Sequence, residues 1–215
     1  MEQNEELVTE NPDIQGKISR AAFELFCHKG IKSVSMDEIA QHLSMSKKTI
    51  YKWFSNKDEI VYAAFNAFLN GHTRECECFI QNAENAVDEL FKIMEITREI
   101  FINLHPVIFH ELQKYHSSSW QLWQRHKHDF ILGSIKENLV RGKQEGLFRT
   151  DLDIEVVSRL RLAMIEVAFD RHLFPPHKFE LQHVQQSNLE IYMLGIATLK
   201  GHKLINKYKH ISEEE

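Results

Sequence analysis

From Ile14 to Leu69 apolar residues return every three or four positions, and the rhythm breaks only at Gly30, at Ser44-Met45-Ser46 and at Ser55. That spacing draws a stripe along one side of an α-helix and does not fit the two-residue alternation of a half-buried strand. Breakers are scarce along the rest of the chain too. Eight Gly and four Pro in 215 residues are too few to punctuate a set of short strands, and few β-branched runs are bounded by turns. The expected fold is therefore all-α.

The helix boundaries follow from local chemistry. Asn11-Pro12 suits a helix start, and Ile14, Ile18, Ala21, Ala22, Leu25 and Phe26 form the first stripe, ended by Gly30. Ser35 followed by Glu38 reads as a capping box opening a short helix over Met36–Leu43. After the Ser44-Met45-Ser46 break, Ser46 caps a second short helix, Lys47–Trp53. Ile50 and Phe54 turn inward there, while Lys47, Lys48, Thr49, Tyr51 and Lys52 face out. Ser55 is the expected cap of a longer helix with Ile60, Val61, Ala64, Phe65, Phe68 and Leu69 on its buried side.

Charge separates this region from the rest. Residues 1–13 carry five acids and no base, residues 14–57 carry eight bases against three acids, and the whole chain has a net charge of −5. One basic module thus sits in an acidic protein, the pattern of a polyanion binder. Lys47–Phe54 holds no acid at all, whereas an ordinary surface helix mixes Glu with its Lys. Two short helices joined by a tight turn, the second basic and outward-facing, form a helix-turn-helix whose second helix enters the major groove.

The stretch from Ile14 to Phe68 resembles the DNA-binding domain of the TetR (tetracycline repressor) family of bacterial transcriptional regulators. The likeness is carried by A-A-F-E-L-F at 21–26, Gly30, S-M-D-E-I-A at 35–40, S-K-K-T-I-Y-K-W-F at 46–54 and the following S-N-K-D-E-I. E-G-L-F-R-T-D-L-D at 145–153 and L-G-I-A-T-L-K-G at 194–201 are similar to phrases flanking and closing the family's dimerising helices. Two positions depart from the pattern: Ser44 stands where the family usually has Gly in the turn, and Trp53 where it commonly has His or Tyr.

The charge pattern marks an acidic tail over 1–12, and the resemblance implies a three-helix DNA-binding domain over 13–73 with its helix-turn-helix at about 36–55, and an effector-binding and dimerisation domain over 74–215. In the first domain, Lys47, Lys48 and Thr49 are expected at base edges, Tyr51, Lys52 and Lys57 on phosphates, and Ser35 beside them. In the second, Ala83, Val87, Leu90, Met94, Ile100 and Leu104 continue the helical spacing, Pro106 opens a shorter segment, and Ser119–Glu145 is long enough for one continuous helix. Ile154–Phe169 and Leu181–Leu199 close the chain around the Pro175-Pro176 loop, and Glu213–Glu215 reads as a solvated tail. In the family these last two helices form the dimer face; from the sequence alone, a buried central helix of a monomer is the other reading.

Phe101, Phe109, Tyr115, Trp120, Trp123 and Phe130 form an aromatic group that either fills a core or lines the small-molecule cavity that family members commonly have there. Other chemistry finds little support. His110-Glu111-Leu112-Gln113-Lys114 approaches H-E-x-x-H, but an ammonium occupies the second ligand position. The many histidines of the second domain do not fall at converging spacings; His126 and His128, two apart, leave a helix on nearly opposite sides. No phosphate loop, nucleophile elbow or dinucleotide fingerprint is present. Nothing in the sequence asks for a cofactor or a metal.

Three cysteines, Cys27, Cys76 and Cys78, argue against a disulfide framework, and no apolar run reaches the ~18 residues of a membrane helix, so a cytoplasmic address is expected. The resulting expectation is a non-enzymatic, homodimeric repressor that binds double-stranded DNA at a palindromic operator and answers to a small molecule. The rival is a DNA-binding protein whose acidic second domain engages a protein partner without an effector.

Overall fold

The computed structural model describes residues 13–105 and 107–210, with only the backbone given for Asp13 and Phe101. The proposed Asn11-Pro12 start, the acidic tail, Pro106 and the Glu213–Glu215 end lie outside the described residues. Eleven α-helices are present among these: α1 (Asp13–Lys29), α2 (Met36–His42), α3 (Lys47–Trp53), α4 (Lys57–Gln81), α5 (Ala86–Asn103), α6 (Ile108–Tyr115), α7 (Ser117–His126), α8 (Leu132–Gln144), α9 (Ile154–Val167), α10 (Leu181–Ile196) and α11 (Leu199–Lys209). A single isolated bridge, Phe148 to Ala197, is the nearest approach to β-structure among the described residues.

The short helices start where the side chains dictate. Ser35 Oγ accepts from the Glu38 amide at 3.1 Å and Ser46 Oγ from the Thr49 amide at 3.0 Å, each supplying one of the first-turn donors with a partner. Glu38 does not complete the expected reciprocal box, because its carboxylate turns to Lys29 at 2.5 Å. The cap of α4 is Asn56 rather than Ser55: the Asn56 carbonyl oxygen accepts from the Glu59 amide, while Glu59 reaches back to the Ser55 amide at 2.7 Å. Gly30 ends α1 at φ +80°, and Ser44 turns the chain at φ 53°, a left-handed conformation reached without glycine.

Two hydrophobic cores result. The first gathers Ile18, Ala22, Phe26, Ile31, Ile39, Ile50, Phe54, Ile60 and Phe65 from α1 to α4, and it also takes in Leu104, Ile108 and Leu112 from beyond the helix-turn-helix. The second joins Val87, Leu90, Leu139, Phe148, Leu189, Tyr192, Met193 and Ile205. The α4 helix runs unbroken past residue 73, where a domain boundary was expected, so the two halves share a rigid element.

The expected single helix over 119–145 is interrupted by a π-helical turn, Lys127–Ile131, between α7 and α8. Such turns rotate the residues that follow and are frequent at functional sites. The buried Lys127 reaches Glu166 of α9 from this turn. The expected Leu181–Leu199 helix likewise stops at Ile196, and the chain restarts as α11. The break is tertiary in origin. The amide of Arg149 bonds the Ile196 carbonyl and the amide of Thr198 bonds the Leu147 carbonyl, both at 2.9 Å, pulling the chain off the helical path. Thr198 then caps α11 through the Gly201 amide. Close approach sets two glycines here: a Cβ on Gly142 would lie 1.9 Å from the Phe148 ring, and one on Gly201 would lie 2.2 Å from the Leu147 carbonyl oxygen.

Candidate DNA-binding surface and ligand cavity

The seven residues of α3 divide as their chemistry requires. Ile50 is buried, and Lys47, Lys48, Tyr51 and Lys52 are exposed on the opposite side. Lys48 and Lys52 make no ion pair with another described residue, which leaves both ammonium groups available to a polyanion. Lys47 differs: Asp37 of α2 lies 2.8 Å from its Nζ, and this hydrogen-bonded carboxylate raises the Lys47 pKa. The Thr49 hydroxyl shares a 2.8 Å hydrogen bond with the Ser46 hydroxyl, so both work in the helix cap. Ser35 is committed to the cap of α2. The Lys57 ammonium is folded back onto the Ile31 carbonyl at 2.5 Å, where burial pulls its pKa down. Among the residues expected at DNA, Lys48, Tyr51 and Lys52 therefore stand open, while Lys47, Thr49, Lys57 and Ser35 hold local structure.

Between the two cores lies a cavity of about 160 Å³ walled by α4 to α10 and the π-helical turn. Phe65 and Leu104 belong to both the first core and this wall, and Leu90, Leu189 and Tyr192 to both the second core and this wall. The expected aromatic group divides around it. Phe109, Trp123 and Phe130 line the cavity; the Phe109 ring stands 5.0 Å from that of Trp123 and 4.2 Å from that of Phe169. Tyr115 lies away from the cavity, 47% exposed between Lys32 and Lys114. Trp120 packs on the first core and borders an outer groove that also meets Phe109 and Trp123. The side chain of Phe101 lies outside the described residues.

The cavity wall is mostly hydrocarbon, but polar groups enter it at one end. Arg161, Tyr192, Asn138, Gln185 and Glu89 come from α9, α10, α8 and α5. His72 and His126, on α4 and α7, stand ring to ring at 5.7 Å, and burial holds both below the usual histidine pKa, His126 at about 4. The free thiols of Cys27 and Cys76 are pushed up to about 12 by burial, which removes them as nucleophiles. Among the described residues no three His, Cys, Asp or Glu side chains come together in a way that could hold a metal ion.

One residue that sequence reasoning passed over ties cavity to DNA-binding domain. Glu111, the acid of the incomplete H-E-x-x-H pattern, is buried, and its Oε2 accepts from the amides of Ile31 at 2.6 Å and Lys32 at 3.0 Å. It thereby anchors α6 to the turn between α1 and α2. Val107 packs where a Cβ on Gly30 would collide at 2.7 Å, the His105 amide bonds the Cys27 carbonyl, and His116 meets Asp58 at 2.7 Å. Phe109, two residues before Glu111 on the same short helix, faces the cavity. A carboxylate 80 positions from its partner leaves no local signal in a sequence.

A further surface is apolar and open. Val156, Leu160, Ala163 and Val167 recur along the outer side of α9, and Ile191, Leu194 and Gly195 along that of α10; Leu160 is 59% and Ile191 64% exposed. Such a stripe on a helix pair is more than single scattered surface residues supply. No helix among the described residues is long and apolar enough to cross a membrane.

Residues 18–64 match the family model described as bacterial regulatory proteins, tetR family. The chain is 22% identical over 190 residues to the HTH-type transcriptional repressor KstR2 of Mycobacterium tuberculosis, covering 85% of this chain and 92% of that one. Among solved structures, a putative transcriptional regulator from Saccharomonospora viridis in complex with choline superposes with a TM-score of 0.70 at 17% identity, over 87% of this chain and all of that one. The transcriptional regulator FadR from Bacillus subtilis in complex with stearoyl-CoA gives 0.63 at 21% identity, over 84% of this chain and 98% of its own.

Proposed function

Because the chain belongs to the TetR family of bacterial regulatory proteins and is a DNA-binding transcriptional regulator, we propose that it acts as a homodimeric repressor released from its operator by a small molecule held in the cavity between its cores. The observation carrying this reading is the placement of Phe109 and Glu111 on α6. One residue forms cavity wall; the other holds the turn that positions the helix-turn-helix. A ligand that displaces Phe109 must move α6, and α6 cannot move without dragging the Ile31–Lys32 amides or breaking from them. The FadR and Saccharomonospora viridis neighbours, each solved with a small molecule, support an effector-responsive reading.

Lys48, Tyr51 and Lys52 would meet the DNA first, with Lys47 and Lys57 joining if phosphate draws them from Asp37 and from the Ile31 carbonyl. The open stripe on α9 and α10 would pair with its own copy about a two-fold axis, giving two recognition helices and a palindromic operator with half-sites about 34–36 Å apart or a multiple of that. Induction then needs only a difference in affinity: an effector that binds a dimer with its recognition helices mis-spaced for the operator ~100-fold more tightly than the operator-competent dimer shifts operator binding by about 2.7 kcal/mol. The rival reading, a partner-binding second domain without effector, calls for solid packing where the cavity lies.

The test is selection of genomic fragments with the purified protein, followed by footprinting. A protected palindrome is expected, and Leu160→Glu, placed on the apolar stripe, should weaken its occupancy by dissociating the dimer. An asymmetric footprint, or full operator affinity from a monomeric Leu160→Glu protein, would overturn the proposal.

A further inference from the structure

We infer that the cavity is built for an amphiphilic anion, with a carboxylate head seated on Arg161 and an apolar tail running toward Phe109 and Trp123. This deepens the effector-cavity reading above and rests on it.

Arg161 is 8% exposed, and among the described residues it has no hydrogen bond or ion pair. Its Nη1 is fully enclosed without a partner, and the Tyr192 ring lies 5.3 Å from the guanidinium carbon. Burial pulls its pKa down to about 10, leaving it charged at neutral pH. An enclosed cation without a counter-charge is costly for a protein to keep.

No carboxylate of the remaining wall bonds it directly. Glu89 is the only carboxylate among the cavity-lining residues, and it is engaged by Arg141 at 3.3 Å. Arg141 holds both Glu89 and, at 2.8 Å, Glu145, so neither carboxylate bonds Arg161, and the Arg161 guanidinium keeps its N–H groups free of any acid among the described residues. Beside it the Tyr192 hydroxyl is also buried without a partner, ready to donate to the same anion. A guanidinium offers two parallel N–H groups, the geometry that a carboxylate accepts best.

The two ends of the cavity differ in kind. Tyr192, Leu189 and Leu90 tie the polar end to the second core, whereas Phe65 and Leu104 tie the other end to the first. Phe68, Ile93, Ile165 and Trp123 provide hydrocarbon between them. A ligand anchored by its head at Arg161 therefore extends its tail to the rings that abut α6.

The experiment is calorimetric titration of the full chain, without DNA, with straight-chain alkanoates of graded length and with the alcohol and trimethylammonium analogues of each. An alkanoate should bind at least tenfold more tightly than its alcohol, and the ammonium analogue least of all. Arg161→Met keeps the stem and removes the charge. It should abolish the preference for the acid while keeping alcohol binding, and should melt no lower than the natural chain because an unpaired buried charge is gone. Tyr192→Phe should lose part of the preference. Equal binding of acid and alcohol across the series, tightest binding of the ammonium compounds, or an Arg161→Met protein with its acid preference intact would each overturn the inference. Operator release is measured separately: an alkanoate that binds through Arg161 but leaves DNA binding unchanged refutes the induction reading and keeps the anion site.

Discussion

Removing the Glu111 carboxylate tests how α6 is attached to the DNA-binding domain. In Glu111→Ala the buried Ile31 amide loses a 2.6 Å hydrogen bond and the Lys32 amide a 3.0 Å one. Hydrogen bonds to a charged acceptor contribute about 1.5–3 kcal/mol each. The full sum does not apply, because Lys32 is exposed and its amide can turn to water, whereas Ile31 has no such recourse. A loss near 3 kcal/mol is expected. For a chain of this size, at about 2–4 °C per kcal/mol, that is a fall of ~6–12 °C in Tm. Glu111→Gln keeps one acceptor oxygen without the charge and should lose about half as much. Urea unfolding followed by circular dichroism, at fixed protomer concentration because the proposed dimer would shift apparent stability, supplies the number. A loss below ~0.5 kcal/mol in Glu111→Ala, or an equal loss in both variants, would refute the idea that this carboxylate anchors the helix through its charge. If the proposed effector acts through α6, the natural chain should also respond to it more strongly than Glu111→Ala, whose α6 is already loose.

Lys48→Ala should weaken operator binding without changing the melting temperature, and if the ammonium meets phosphate the slope of log K against log salt should fall by ~1; Lys92→Ala, tied to Asp88 far from α3, should do neither in the same titration. Ser44→Gly should be neutral or stabilising by up to ~1 kcal/mol because glycine adopts φ 53° freely, and Ser44→Val should be destabilising by more than that; denaturant midpoints decide, and a well-tolerated valine would contradict the strain argument. His126 has its folded-state pKa lowered from 6.5 to about 4 by burial, so the unfolded chain takes up the proton first. The stability that its neutral form contributes is complete above pH ~6.5 and is lost as pH falls toward 4, and His126→Gln should flatten the pH profile of Tm in that window.

Much of the DNA-binding domain is legible along the chain because its determinants act over three or four residues. Ser35 and Ser46 cap the amides three positions on, Gly30 and Ser44 turn the backbone at their own φ angles, and the side of α3 that faces out follows from Ile50 facing in. The apolar stripes of α9 and α10 have the same local origin, although only the fold shows Leu160 and Ile191 on an outer surface rather than in a monomer's core. What the sequence could not fix was every feature that depends on partners distant along the chain. Trp123 and Phe130 reach the cavity while Tyr115 and Trp120 do not, because the placement of α6 and α7 and the π-helical turn before α8 set where each ring points. The end of α10 is imposed by the 147–149 strand of chain bonding across it, not by any breaker. Glu111 and Arg161 are ordinary polar residues of amphipathic helices until other helices close over them. Burial then turns one into a charge held by backbone amides and the other into a charge without a counter-ion, because the cost of an enclosed charge depends on what surrounds it in space, and spacing along the chain does not record that.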